Sequence, residues 1–458
     1  MSKFSVGFAT VNINPPLGIP IIGYYVDRYA KGFLDDLEAS AIALSDGKKR
    51  IIMISVDHCL ITEPNISRFI SNVAKATGVS KNNVFIACTH THTGPFSSTD
   101  TMFFGDDQTI VERYADFLGE RLADVALLAL NDLKRARMGY IVGNAPERVA
   151  YIRRYRMKDG STMTCPPIND PDIVGPIGTL DQRVNVVRFD REGAESIVLV
   201  NYGVHADTVN GDMISSDWLG WLRRTVEKAL DGVKCIAFVG AQGDVGSTNV
   251  HPKDGDMNDT EISFDNEMKS PGMARFVGRA LAGTVLQVYD KVKYVSVDSI
   301  DAFSYIAKAP SNMPKPEELP LAHKYNDLHN SGRDDLIPYT AMELTTVVAE
   351  ARRMCALEHG PEFFDINFTG VRIGDIAFLG IPGEPFTDIG VRIKENSDYS
   401  LVLPCALVNG SKGYFPVRSA YEEGGYEARS TSYKVGIDDV IVDGAKTVLD
   451  NLKSRRNK

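Results

Sequence analysis

Four stretches of the chain are short apolar runs, rich in β-branched residues, that end in polar groups: "KRIIMISVDH", "NNVFIACTHTH", "KCIAFVGAQGD" and "IGDIAFLGIPGE". Runs of this length and composition predict buried strands leading into loops. The opening "MSKFSVGFAT" alternates apolar and polar positions and predicts a further strand. Between the runs lie helical patterns. "NISRFISNVAKATG" repeats apolar residues at helical spacing and stops at a glycine, and "TIVERYADFLGERLADVALLALNDLKRA" is a longer amphipathic helix. "SSDWLGWLRRTVEKALDG" opens on Ser/Asp and closes on Gly, as a capped helix does. Strands alternating with helices predict an α/β (mixed α and β) fold, with a central mixed β-sheet or sheets flanked by helices. Ligands of such sheets bind at the carboxyl ends of the strands, where the polar groups of all four runs fall. The segment 308–360, with "APSNMPKPEELP" and then a charged helical run, predicts an insertion that forms either a lid or a surface excursion.

A length of 458 residues is enough to bury a substantial core, as two or three ordinary domains or as one large α/β domain. A hydrophobic content of 43% with 24% charged residues is that of a soluble globular protein. The net charge of −10 argues against nucleic acid as a partner, because phosphate binding needs clustered Lys and Arg, and the one basic cluster is the tail "KSRRNK". No run of about 18 apolar residues occurs, so no transmembrane segment is expected, and the first residues do not form a secretory signal. Six scattered cysteines without a CxxC pattern predict buried, reduced thiols and a cytoplasmic location. The oligomeric state is open, a homo-oligomer included.

Eight histidines serve the whole chain, and two of them, His90 and His92, share one tripeptide in "ACTHTHTGPF". If the strand continues through them, their side chains point to the same face, so one can ligate a metal while the other stays free for proton transfer. The structural alternative is a hydrogen-bonded pair. His205 follows an apolar run in "LVNYGVHADTV", and a satisfied loop histidine is its alternative. Glu384 sits between Gly383 and Pro385 in "GIPGEPFTD", where the turn sets the carboxylate direction; it could equally cap the helix that follows. Tyr426 follows two glycines in "GGYEARSTSY", a loop that allows close approach, or it is a buried loop tyrosine. Two histidines, a glutamate and a tyrosine make an N/O donor set that suits Zn2+ with one position left for water. Zinc lowers the pKa of bound water to about 7, which makes hydroxide available for hydrolysis at neutral pH.

These residues carry a family resemblance. "VGFATVNINPPLGIPIIGY", "LEASAIALSDGKKRIIMISVD", "THTHTGP", "NYGVHAD", "FVGAQGDVG", "GIPGEPFTD" and "GYEARSTSY" follow one another along most of the chain. Taken in this order, they resemble the catalytic region of the neutral/alkaline non-lysosomal ceramidases, which cleave the amide bond between a fatty acid and a sphingoid amine. The resemblance implies a single catalytic domain over 1–458 with zinc on His90, His205, Glu384 and Tyr426. It makes His92 a proton shuttle or transition-state stabiliser rather than a ligand. It implies metal-hydroxide attack on a carbonyl and a small-molecule or lipid-like N-acyl substrate, with a soluble ester, a lactone, a sugar derivative or a non-catalytic metal-binding relative as alternatives. The sequence ends soon after the Tyr426 motif, so a short bacterial-type member without the C-terminal immunoglobulin-like domain is expected. Where the family's loop reads GDVSP, this chain reads "GDVGST", with Gly246 in place of the serine and Ser247 one residue later. Arg153 and Arg154, in "RVAYIRRYRMKDG", resemble a pattern of short bacterial relatives and are candidates for stabilising negative charge at the carbonyl oxygen. Asp57, in "SVDH", is a candidate for orienting a ligand, with a structural cap as its alternative, and Asp244 shares that ambiguity.

Overall fold

The computed structural model describes residues 3–98 and 108–455. All four apolar runs form strands: Arg50–Val56, Val84–Cys88, Val233–Val239 and Ile376–Gly380. The alternating start forms Ser5–Asn12. The three expected helices are Asn65–Thr77, Thr109–Asn131 and Asp217–Ala229. The first of them ends as its glycine predicts: Gly78 is left-handed (φ 71°) and its N–H returns to the Ala74 carbonyl.

Most of the strands build two large sheets; the rest form small two- and three-stranded sheets. The larger runs in the order Val233–Val239, Ser196–Tyr202, Arg183–Arg191, Lys134–Asn144, Ser5–Asn12, Glu38–Ser45, Arg50–Val56, Val84–Cys88, with Lys293–Val295 beside Lys134–Asn144. Its interior pairs are antiparallel, and its two outermost pairs are parallel. The smaller sheet runs Ile300–Pro310, Phe363–Ile373, Ile376–Gly380, Leu401–Cys405, and its last pair is parallel. The sheets stack face to face. Ile51, Met53, Phe85, Phe189 and Phe238 from the first share one core with Val371, Ile376, Phe378 and Leu403 from the second. Alternate residues face outward. Ile52, Ile54 and Val56 meet Phe69, Leu118 and Leu122 of the helices on the first sheet, while Ala377, Leu379 and Val402 meet Ile389, Ile441 and Val448 on the second. A strand buried on both faces takes apolar residues at nearly every position, and the buried exception in Arg50–Val56, Ser55, is satisfied by a hydrogen bond to the Ala237 carbonyl. The result is four layers, helix–sheet–sheet–helix.

The segment 308–360 connects two neighbouring antiparallel strands, Ile300–Pro310 and Phe363–Ile373. It holds two packed helices, Leu319–Asn330 and Ala341–Leu357, with a small core of Ile337, Val347 and Val348 against Tyr25. Arg429 ties it to the body through Glu343 and Glu350. Among the described residues no helix is long and apolar enough to cross a membrane. Five of the six cysteines are buried, Cys355 partly so, and none is in a disulfide.

Candidate metal centre

Each parallel strand pair delivers a loop to one point. Val84–Cys88 leads to His90 and His92, Ser196–Tyr202 leads to His205, and Ile376–Gly380 leads to Glu384. Parallel neighbours end on the same side, so their loops gather there. His90, His205 and Glu384 are all buried, and one donor atom from each lies within 4.8 Å of the others. Glu384 Oε2 is 3.1 Å from Nε2 of both histidines.

The two histidines are held by their other ring nitrogen. His90 Nδ1 donates to the Cys59 carbonyl at 2.9 Å, and His205 Nδ1 donates to the carbonyls of Gln242 and Val245 at 2.8 and 3.0 Å. A carbonyl oxygen only accepts, so the proton sits on Nδ1 and the Nε2 lone pair faces the cluster. His205 Nε2 and Glu384 Oε2 are buried without a hydrogen-bond partner, despite standing 3.1 Å apart. The contact is close but misaligned, so it leaves lone pairs aimed at a common point instead of satisfying them. Burial opposes ionisation of Glu384, but the two histidines outweigh it and hold the carboxyl well below its usual range. Burial, with Arg153 nearby, pushes His205 down to about 4. Glu384 in turn draws His90 well above the usual imidazole range against its burial. Two imidazole Nε2 atoms and one carboxylate converging on one point make a donor set that fits a borderline divalent cation such as zinc.

One expectation of local geometry is corrected. The strand ends at Cys88, and His90 is left-handed (φ 67°), so the histidine pair is not an alternating strand. Their rings meet by another route. The His90 N–H donates to the His58 carbonyl and the His92 N–H to the Ala206 carbonyl, and this brings the two Nε2 atoms to 3.3 Å. Gly23 (φ 125°) lets a neighbouring loop press on His92, where a Cβ would stand 2.9 Å from its ring.

The cluster borders a cavity of about 330 Å³. Tyr426 lines it, with its ring 5.5 Å from that of Tyr414. Arg153 lines it too; its guanidinium donates to Glu427 (2.6 Å), the Gly243 carbonyl (3.0 Å) and the Tyr414 hydroxyl (3.1 Å). Met342 and Thr345 bring the 308–360 segment onto the wall. Arg154 and Asp57 stand apart from the cavity wall among the described residues. Arg154 is committed to Glu423 and the Gly424 carbonyl. Asp57 accepts a bidentate pair from Arg223 and the Glu38 N–H, which joins sheet to helix and commits the carboxylate away from the histidines. Asp244 caps the helix after Glu384 through the Thr387 N–H and hydroxyl. Ser247 lines a second cavity, with Arg148 and Tyr151. A Cβ at Gly246 would meet Glu267 Oε1 at 3.2 Å.

Sequence pattern passes over Tyr24, Asp207, Lys269 and Tyr414. Lys269 is fully buried and donates to Asp207, Asp265, Glu267 and Tyr24 within 3.1 Å. "DNEMKSP" carries no periodic or motif signal for this; only the lysine's burial reveals it.

No family model and no curated protein matches the chain. Solved structures do. Neutral ceramidase from Pseudomonas aeruginosa superposes with a TM-score of 0.70 over 99% of this chain and 75% of that one, at 17% sequence identity. A ceramidase complexed with C2 gives a TM-score of 0.70 over 100% of this chain and 76% of that one, also at 17% identity. Over its whole length, this chain has the neutral ceramidase fold.

Proposed function

We propose that the chain is a zinc-dependent, ceramidase-like amidohydrolase that cleaves an N-acyl amide. The observation that carries this is the convergence of three buried lone pairs, His90 Nε2, His205 Nε2 and Glu384 Oε2, beside a cavity in the neutral ceramidase fold. His90, His205, Glu384 and Tyr426 are the proposed zinc ligands, and zinc there supplies Lewis-acid activation of water and of the scissile carbonyl. The Cys59, Gln242 and Val245 carbonyls keep both histidines in the ligating tautomer. His92 Nε2 takes a proton from the attacking water as the C–O bond forms and gives it to the amide nitrogen as the C–N bond breaks, yielding a carboxylate and an amine. Arg153, braced by Glu427 and Tyr414, faces the negative charge that develops on the carbonyl oxygen.

The cavity, about 330 Å³, suits one drug-sized molecule; its wall is mostly apolar, with Ile22, Leu60, Phe264 and Met342, and carries Asp265, Glu267 and Lys412 as polar points, so it can seat the acyl part of a lipid-like or of a soluble N-acyl compound. The test offers a fluorescent medium-chain ceramide and a panel of soluble N-acyl amides and esters to zinc-loaded protein, with and without chelator. Chelator-sensitive amide cleavage is the expected result. Cleavage that survives both chelation and His205→Ala overturns the zinc mechanism, and the preferred substrate decides between lipid and soluble amide.

A further inference from the structure

His92 lies between two buried groups. Its Nε2 is 3.3 Å from His90 Nε2, and its Nδ1 is 3.3 Å from Asp207 Oδ2. The first contact is aligned as a hydrogen bond and Nδ1 is left without one. These two options compete. His90 Nε2 cannot both accept from His92 and donate its lone pair to a metal, because it has only one lone pair. Once His90 ligates, Asp207 is the acceptor beside His92. The carboxylate is already fixed in place to accept: Oδ1 takes a hydrogen bond from the Tyr24 hydroxyl, and Oδ2 takes one from Lys269 Nζ at 2.8 Å. Lys269 in turn touches Asp265 at 3.1 Å and Glu267 at 2.9 Å. Asp207, Asp265 and Glu267 also have donor atoms within 4.8 Å of one another, as metal ligands do, and the Lys269 ammonium is the cation at their centre. The Tyr24 ring stands edge-on to His92 at 5.4 Å and closes the other side.

We infer that Asp207 is the positioning residue for His92: it accepts a hydrogen bond from Nδ1–H, which keeps that proton on Nδ1 and turns the Nε2 lone pair toward the reacting water, while Lys269 holds the carboxylate in place as a built-in cation. The inference rests on the amidohydrolase reading for its catalytic consequence, but not for its structural one.

Asp207→Asn keeps the shape and removes the charge. In zinc-loaded protein with 15N-labelled histidine, long-range 1H–15N spectra are expected to show His92 protonated at Nδ1, its signal assigned by its loss in His92→Gln. Asp207→Asn is expected to abolish that tautomer preference and to lower kcat by about 100-fold with KM within about twofold, at unchanged zinc content. Asp207→Glu is expected to recover part of both. An unchanged tautomer in Asp207→Asn overturns the inference and leaves the hydrolase reading standing. If the wild type cleaves nothing in the panel, the hydrolase reading falls, and the tautomer comparison still decides the Asp207–His92 pairing.

Discussion

Two triads of ligating side chains lie side by side and differ in what fills them. His90, His205 and Glu384 turn donor atoms toward one another, and two of these, His205 Nε2 and Glu384 Oε2, have no hydrogen-bond partner, whereas Asp207, Asp265 and Glu267 surround the Lys269 ammonium. Counting ligands rates the two equally. The chemistry separates them: in the first, backbone carbonyls consume the histidine protons and leave bare nitrogens; in the second, a buried amine supplies the positive charge itself. A candidate metal site is recognised by lone pairs that nothing in the chain satisfies.

That contrast can be broken by mutation. The largest effect is expected from His205→Ala: zinc measured by mass spectrometry should fall to background, and hydrolysis by more than the roughly 100-fold typical of a supporting residue. A fully active, metal-free variant would sink the assignment of the first triad. Lys269→Met leaves three buried carboxylates without their cation. It should destabilise metal-free protein by about 3–5 kcal/mol in equilibrium denaturation, and no loss would mean the second triad tolerates an empty centre. Asp57→Asn breaks the bidentate Arg223 pair, which belongs to neither triad, and should cost about 3 kcal/mol at unchanged zinc content. Loss of zinc there would return Asp57 to the site. Ser247→Ala is expected to do least: Ser247 lines the second cavity, so hydrolysis should stay within about twofold, and a larger drop would connect the two cavities.

The unequal legibility of these regions in the sequence has a physical cause. Strand and helix positions such as Arg50–Val56 and Asn65–Thr77 follow from local periodicity, and the three donors stand at the ends of such elements. Stacking of the two sheets is not legible, because an apolar run states that both faces are covered without naming what covers them. Pattern places the histidine pair correctly beside a strand but gives it the wrong backbone, since a positive φ at His90 is imposed by tertiary hydrogen bonds rather than by its own residue type. Lys269 and Tyr414 are invisible, because Asp207 and Tyr24 beside the first and Arg153 beside the second come from distant parts of the chain.

The donors come from both sheets: His90 and His205 from opposite ends of the larger, Glu384 from the smaller. Neither half alone presents the trio. A metal held by all three donors would therefore bind only once both sheets have docked. Such an ion would stabilise only the correctly joined molecule, so its uptake would report the docking of the two sheets.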